Sequence, residues 1–132
     1  MGKFLNKHLS LLLILTLSAV SLTYAQSFDN IASAIRTGNS SSLATNFSAN
    51  VEITIKDAEA SYSKAQAEMV LKNFFSTRQP KSFSIVHQGT SPEGSKYFIG
   101  NLVTSGGNYR TYVYAKMQGS ALVVQEIRFE EQ

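Results

Sequence analysis

From Lys81 to the C-terminus the sequence alternates apolar and polar residues with period two, interrupted three times by glycine-bearing turns. That pattern is an antiparallel meander. Its strands are expected over 82–88, 96–104, 109–117 and 121–130. A two-residue Gln118-Gly119 turn places Ala115 opposite Leu122 and Val113 opposite Val124. Further on, the apolar parity switches to Ile127 and Phe129. A one-residue bulge at Gln125-Glu126 returns them to the core face and curves the sheet.

Ahead of the meander the period is helical. Phe28, Ile31, Ala32 and Ile35 share one helix face behind Ser27 as N-cap, and Gly38 ends that helix. Residues 39–42 lead into a second short helical segment with Leu43, Ala44 and Phe47 on one face. Val51, Ile53 and Ile55 alternate around Glu52 and Thr54 as a half-buried strand, and 56–60 is its turn. Ser63-Lys64-Ala65-Gln66 has capping-box spacing and starts a helix with the stripe Ala67, Val70, Leu71, Phe74 and Phe75. Pro80 sets the limit by which it has stopped.

The first 25 residues read as a secretory leader. Lys3 and Lys7 give a positive start, Leu9 to Leu22 is nearly all apolar, and Thr23-Tyr24-Ala25 sets small residues at the −3 and −1 positions. Ser10, Thr16, Ser18 and Ser21 interrupt the run, whose apolar core falls short of the ~20 residues of a spanning helix. Cleavage after Ala25, no stable membrane insertion afterwards, and a single domain over 26–132 are therefore expected. The mature chain carries ten Lys and Arg against nine Asp and Glu, with no basic stripe for polyphosphate. Nucleic acid is not an expected partner. The absence of cysteine excludes disulfides, thiol nucleophiles, Cys-ligated zinc and a lipid-attachment site. A soluble protein of the periplasm or the exterior is the expectation.

The order of elements, helix pair, strand, capped helix and bent four-strand meander, resembles the cone-shaped α+β fold of nuclear-transport-factor-two-like domains. Ketosteroid isomerase and scytalone dehydratase share that fold. More narrowly, Tyr62-Ser63-Lys64-Ala65-Gln66-Ala67, Phe74-Phe75, His87-Gln88-Gly89, Tyr97-Phe98-Ile99-Gly100 and Tyr109-Arg110-Thr111-Tyr112 resemble a family of exported bacteroidetal proteins classed only as a domain of unknown function. The resemblance implies helices packed on a curved, mainly antiparallel sheet. It implies no catalytic residues, because the superfamily spans isomerases, dehydratases, small-ligand binders and assembly domains.

Chemistry must be sought in the side chains. On one parity of the meander His87, Asn101 and Thr111 interrupt the apolar residues Phe83, Ile85, Ile99, Val103, Val113, Ala115 and Met117. With Tyr62 beside the helix cap, these three are the candidate ligand-binding residues. His87 is the one histidine after the leader, and imidazole titrates near neutral pH, so it is the candidate base of an isomerase-like or dehydratase-like site. Its place at a strand end beside a Gln-Gly turn argues the other way, for a hydrogen-bonded rim residue. Glu52 and Glu126 lie on the polar parity, and Asp57 belongs to a turn. One histidine and scattered carboxylates make no metal site, and Gly106-Gly107 is a hairpin turn rather than a phosphate loop. No cofactor is expected.

The opposite parity carries Val86, Phe98, Leu102, Tyr112 and Tyr114 with Arg110 and Lys116. Aromatics with arginine on a sheet face have the composition of an interface, so Phe98, Leu102, Tyr112 and Tyr114 are the expected contact patch of a homodimer. The functional expectation is a non-catalytic exported domain that binds a small apolar ligand or an envelope protein.

Overall fold

In the computed structural model, which describes residues 29–132, helix α1 occupies 29–37 and buries Ile31, Ala32, Ala34 and Ile35. The leader, Ser27 and Phe28 lie outside the described residues. Gly38 adopts φ +64°, where a side chain is strained, and closes α1 as a Schellman turn. Its N–H reaches the Ile35 carbonyl at 3.1 Å and that of Asn39 reaches Ala34 at 2.9 Å. The Asn39 side chain then accepts the Ser42 N–H at 3.0 Å and caps α2, Ser40–Ala44.

Strand β1, Phe47–Ile55, begins earlier than its alternation indicates, so Phe47 is a buried strand residue and not part of the helical segment. The expected turn over 56–60 shortens to Lys56-Asp57, and β2, Ala58–Ser63, pairs back on β1 as an unforeseen hairpin. Its sequence AEASYS is too polar and short of β-branched residues to announce a strand. Helix α3, Lys64–Thr77, starts with both capping-box bonds, Gln66 N–H to Ser63 Oγ at 3.3 Å and Ser63 N–H to Gln66 Oε1 at 3.2 Å. It buries Ala67, Leu71, Phe74 and Phe75.

The meander follows as β3 (Pro80–Thr90), β4 (Lys96–Thr104), β5 (Gly107–Gln118) and β6 (Ala121–Glu131). The sheet order is β2-β1-β6-β5-β4-β3, antiparallel throughout except for β1 beside β6. The last hairpin turns at Gly119-Ser120, one residue later than expected, with Gly119 at φ +63°. Ala115 therefore faces Val124 and Met117 faces Leu122, a two-residue change of register that keeps every side chain on its expected face. Tyr114 pairs with Glu126 and Ala115 with Val124, so Gln125 is the extra residue of the expected bulge.

A second bulge changes the reading of β3. Ile85 pairs with Gly100 and His87 with Ile99, which leaves Val86 extra and turns His87 to the face opposite Phe83 and Ile85. In β4 both parities are apolar, so alternation alone does not choose the core side. Phe98 and Leu102 are fully buried, whereas Ile99 and Val103 are half-buried and Asn101 is exposed. This corrects the placement of Phe98 and Leu102: they are core residues, not contact residues. Between α3 and the sheet, aromatic rings fill the interior. Phe74 stacks on Phe129 at 4.4 Å and meets Tyr109 edge-on at 5.3 Å, while Phe83 meets Phe98 at 6.1 Å.

Candidate functional site on the outer sheet face

Strand register defines the face that the described helices leave uncovered. One rung carries Ile99, Tyr112 and Arg128 on β4, β5 and β6, and the next carries Tyr97, Tyr114 and Glu126. On β1 these rungs continue as Thr54 and Glu52. Tyr97, Ile99, Tyr112, Tyr114 and Val123 are all half-buried.

The aromatic side chains lean on one another across strands. The Tyr97 ring lies over Gly89, where an added Cβ would come within 2.7 Å of it, and its hydroxyl stands 3.1 Å from His87 Nε2. Tyr97 and Tyr112 have centroids 6.1 Å apart, and the Arg128 guanidinium sits 5.4 Å over the Tyr112 ring. Arg128 also pairs with Glu126, a bond that strengthens its hold on its proton. The Tyr114 hydroxyl donates to Ser95 Oγ at 2.9 Å and fixes the ring against the β3–β4 turn. Burial, followed by the Glu126 charge, pushes the Tyr112 phenol above its ordinary value.

Toward β2 the face becomes acidic. Glu52 stands beside Glu126 in register, and Glu59 lies diagonally across on β2. A hydrogen bond shared with Glu59, then the charge of that neighbour, holds the Glu52 carboxyl above the usual range; Arg128 opposes the shift. In the next rung, between Glu59 and Arg128, the Thr54 hydroxyl is enclosed without a hydrogen-bond partner.

The structure separates the residues that the sequence singled out. His87 and Asn101 are exposed on the outer face, so the expectation of His87 in the cone interior is corrected by the Val86 bulge. Thr111 lies on the core face, fully buried, with its hydroxyl unpaired. Tyr62 sits on β2 opposite Val51 and lines an open apolar groove of 440 Å³ with Ala65, Gln66, Met69 and Val70. Because β2 and β3 are opposite sheet edges, five strand spacings, about 24 Å, divide Tyr62 from His87. They do not form one acid–base site. Tyr112 and Tyr114 do occupy the outer face, joined by Tyr97, Ile99, Val123 and Arg128, which parity alone did not assign there. Among the described residues no group of three or more His, Cys, Asp or Glu is placed to hold a metal.

The family described as a domain of unknown function, DUF4783, matches residues 28–130. The chain belongs to the DUF4783 family. The crystal structure of a DUF4783 protein from Bacteroides uniformis is 29% identical, covers 79% of this chain and 95% of its own, and superposes with a TM-score of 0.75. One from Bacteroides ovatus is 24% identical, covers 78% and 93%, and gives 0.74. An NTF2-like protein of unknown function from Cytophaga hutchinsonii is 6% identical over 83% of this chain and 89% of its own, with a TM-score of 0.58. That likeness is one of fold, and this DUF4783 chain is an α+β protein of NTF2-like architecture. A comparison with curated proteins gives no match. Among the described residues no DUF4783 helix is long and apolar enough to cross a membrane.

Proposed function

We propose that this chain is an exported, non-catalytic domain whose outer sheet face docks an envelope protein. One observation carries the reading: Tyr97, Tyr112 and Tyr114 form a half-buried row, backed by Arg128, on a face that the described helices do not cover. Tyrosine supplies large contact area at low entropic cost, and tyrosine and arginine are both enriched among the residues that dominate interface energetics. Around them Asn101, Arg110 and Lys116 are exposed and provide a polar rim. Export itself rests on the leader sequence.

A second reading places a small apolar ligand in the groove beside Tyr62. Its support is Met69, a large apolar side chain left 55% exposed there. Site-specific photo-crosslinking in the native cell envelope decides between the two. A benzophenone side chain at Tyr112 or Tyr114 should give a discrete protein adduct, whereas the same group at Met69 should give none. Adducts from Met69 alone, or from neither place, would overturn the docking face.

A further inference from the structure

The two edges of the sheet are guarded unequally. β3 opens on Pro80-Lys81, bulges at Val86, and gives its Phe83 carbonyl to Arg36 Nε of α1 at 3.3 Å. Proline, lysine and bulges are devices that keep an edge strand from pairing further. β2 has none of them. Its sequence AEASYS pairs with β1 in unbroken register from Ser63 to Ala58, and among the described residues no strand lies beyond it. Its shortness and Glu59 are what blunt it, and a charge selects partners as well as repelling them.

Hydrogen bonding along the hairpin fixes what the open edge offers. Lys56-Asp57 is a two-residue turn, so Ile55 and Ala58 close it as a bonded pair, and bonding alternates from there. Ala58, Ala60 and Tyr62 thus turn their N–H and C=O toward β1, while Glu59 and Ser61 turn theirs away from the sheet. The Lys56 N–H agrees with this phase, since it bonds the Phe129 carbonyl of β6 at 2.8 Å. Past Tyr62 the edge ends, because Gln66 takes the Ser63 N–H in the α3 cap.

We propose that the open edge of β2 binds a short extended peptide, which adds to the sheet as a further strand and alternates apolar side chains with a basic one. The site is separate from the docking face and does not depend on it. Main-chain bonds to Glu59 and Ser61 hold the peptide, and its side chains are sorted by face. Those opposite Ala60 and Tyr62 lie on the helix side, where the groove lined by Ala65, Met69 and Val70 receives an apolar group. Those opposite Glu59 and Ser61 lie on the outer side. There Glu59 shares a hydrogen bond with Glu52, and exposed Asp57 follows at the hairpin end, whereas Lys56 is paired with Glu131 at 3.2 Å. Lys64 stands at the other end of the edge, in the first turn of α3. An antiparallel peptide with its basic residue toward its C-terminus matches this order of charges. The open stretch from Glu59 to Tyr62 pairs with a segment of about four residues, which suits a peptide.

NMR titration of the isotope-labelled protein with the capped peptide leucine-threonine-valine-lysine tests the arrangement. The amide signals of Glu59 and Ser61 should shift and saturate, together with the Met69 methyl. N-methylation of the threonine and lysine, whose N–H groups face β2, should weaken binding about tenfold or more, whereas N-methylation of the valine, whose N–H faces away, should leave it unchanged. Glu59→Lys, at an exposed position where folding is checked by circular dichroism, should weaken binding about tenfold and favour the same peptide ending in glutamate. Shifts at Met69 without Glu59 and Ser61, equal binding of the two methylated peptides, or no saturation at millimolar peptide would each overturn strand addition. A discrete protein adduct from a benzophenone at Met69 would overturn the short peptide as the occupant.

Discussion

Gly100 lies directly beneath the ring of Phe83, close enough that a Cβ on Gly100 would stand 2.4 Å from Phe83 Cζ and 2.8 Å from the Ser84 carbonyl oxygen. The absent side chain is what lets β3 fold its largest residue flat onto β4 and seal that end of the core. Gly100→Ala must displace both a packed ring and a neighbouring strand. It should cost about 1–3 kcal/mol, read as a lower urea midpoint at unchanged slope. Phe83→Leu in the same chain should recover only part of the loss, because the clash with the Ser84 backbone remains. Full recovery, or no loss at all, would show that the ring and the strand yield freely.

Thr111 stands in the same rung as Gly100 and Phe129, fully buried, with a hydroxyl that has no partner. A buried unsatisfied hydroxyl costs about 1–3 kcal/mol. Thr111→Val keeps the shape and removes that cost, so the thermal midpoint should rise by several degrees, about 4–8 °C per kcal/mol for a domain of this size. Thr111→Ser retains the hydroxyl and leaves a methyl-sized void, and should lower the midpoint. A fall with valine would reveal a hydrogen bond made by this hydroxyl in solution.

The same residues explain which parts of the fold were legible in the sequence. The α3 cap was readable because Ser63 and Gln66 carry the bonding groups themselves, and the Gln125 bulge because Val124 and Ile127 cannot both face inward without it. The Val86 bulge was hidden. Its neighbours Ile85 and His87 alternate smoothly as text, and only the pairing with Gly100 and Ile99 reveals the extra residue. Strand β4 was ambiguous for a different reason, since apolar side chains occupy both of its faces and the buried side is the one on which Phe98 meets Phe83. The outer aromatic row follows from register across β3 to β6, a relation among residues far apart in sequence.

Arg78, the C-cap of α3, donates from Nε to the buried Tyr109 hydroxyl at 2.7 Å and lies 5.0 Å over the Phe74 ring. The two ends of this bond are not equivalent. Tyr109→Phe removes an acceptor from a half-exposed arginine that water then solvates, and should cost about 0.5–1.5 kcal/mol. Arg78→Ala strands the phenol in the core and also removes the cation from the Phe74 ring, so it should cost more, about 2–3 kcal/mol. Urea unfolding of both variants gives the order. If Tyr109→Phe proves the more damaging, the hydroxyl has a second partner that outweighs Arg78.

The acidic end of the outer face gives the chain a pH dependence of definite sign. Glu52 is held above the usual carboxylate range by the hydrogen bond and charge of Glu59, so between that range and its raised value the folded chain keeps a proton that the unfolded chain gives up. Stability contributed by this group is therefore present below the unfolded value, near pH 4.3, and is lost as pH rises through the folded one. Glu52→Gln cannot ionise and still donates to Glu59, so it should raise the thermal midpoint at neutral pH and flatten the decline across that window. Glu59→Gln should do the same, and the double variant should gain less than the two single gains together, because one repulsion cannot be relieved twice. Thermal unfolding of the four proteins at closely spaced pH values provides the measurement. Parallel curves for wild type and Glu52→Gln would show that the pair shares no proton in solution.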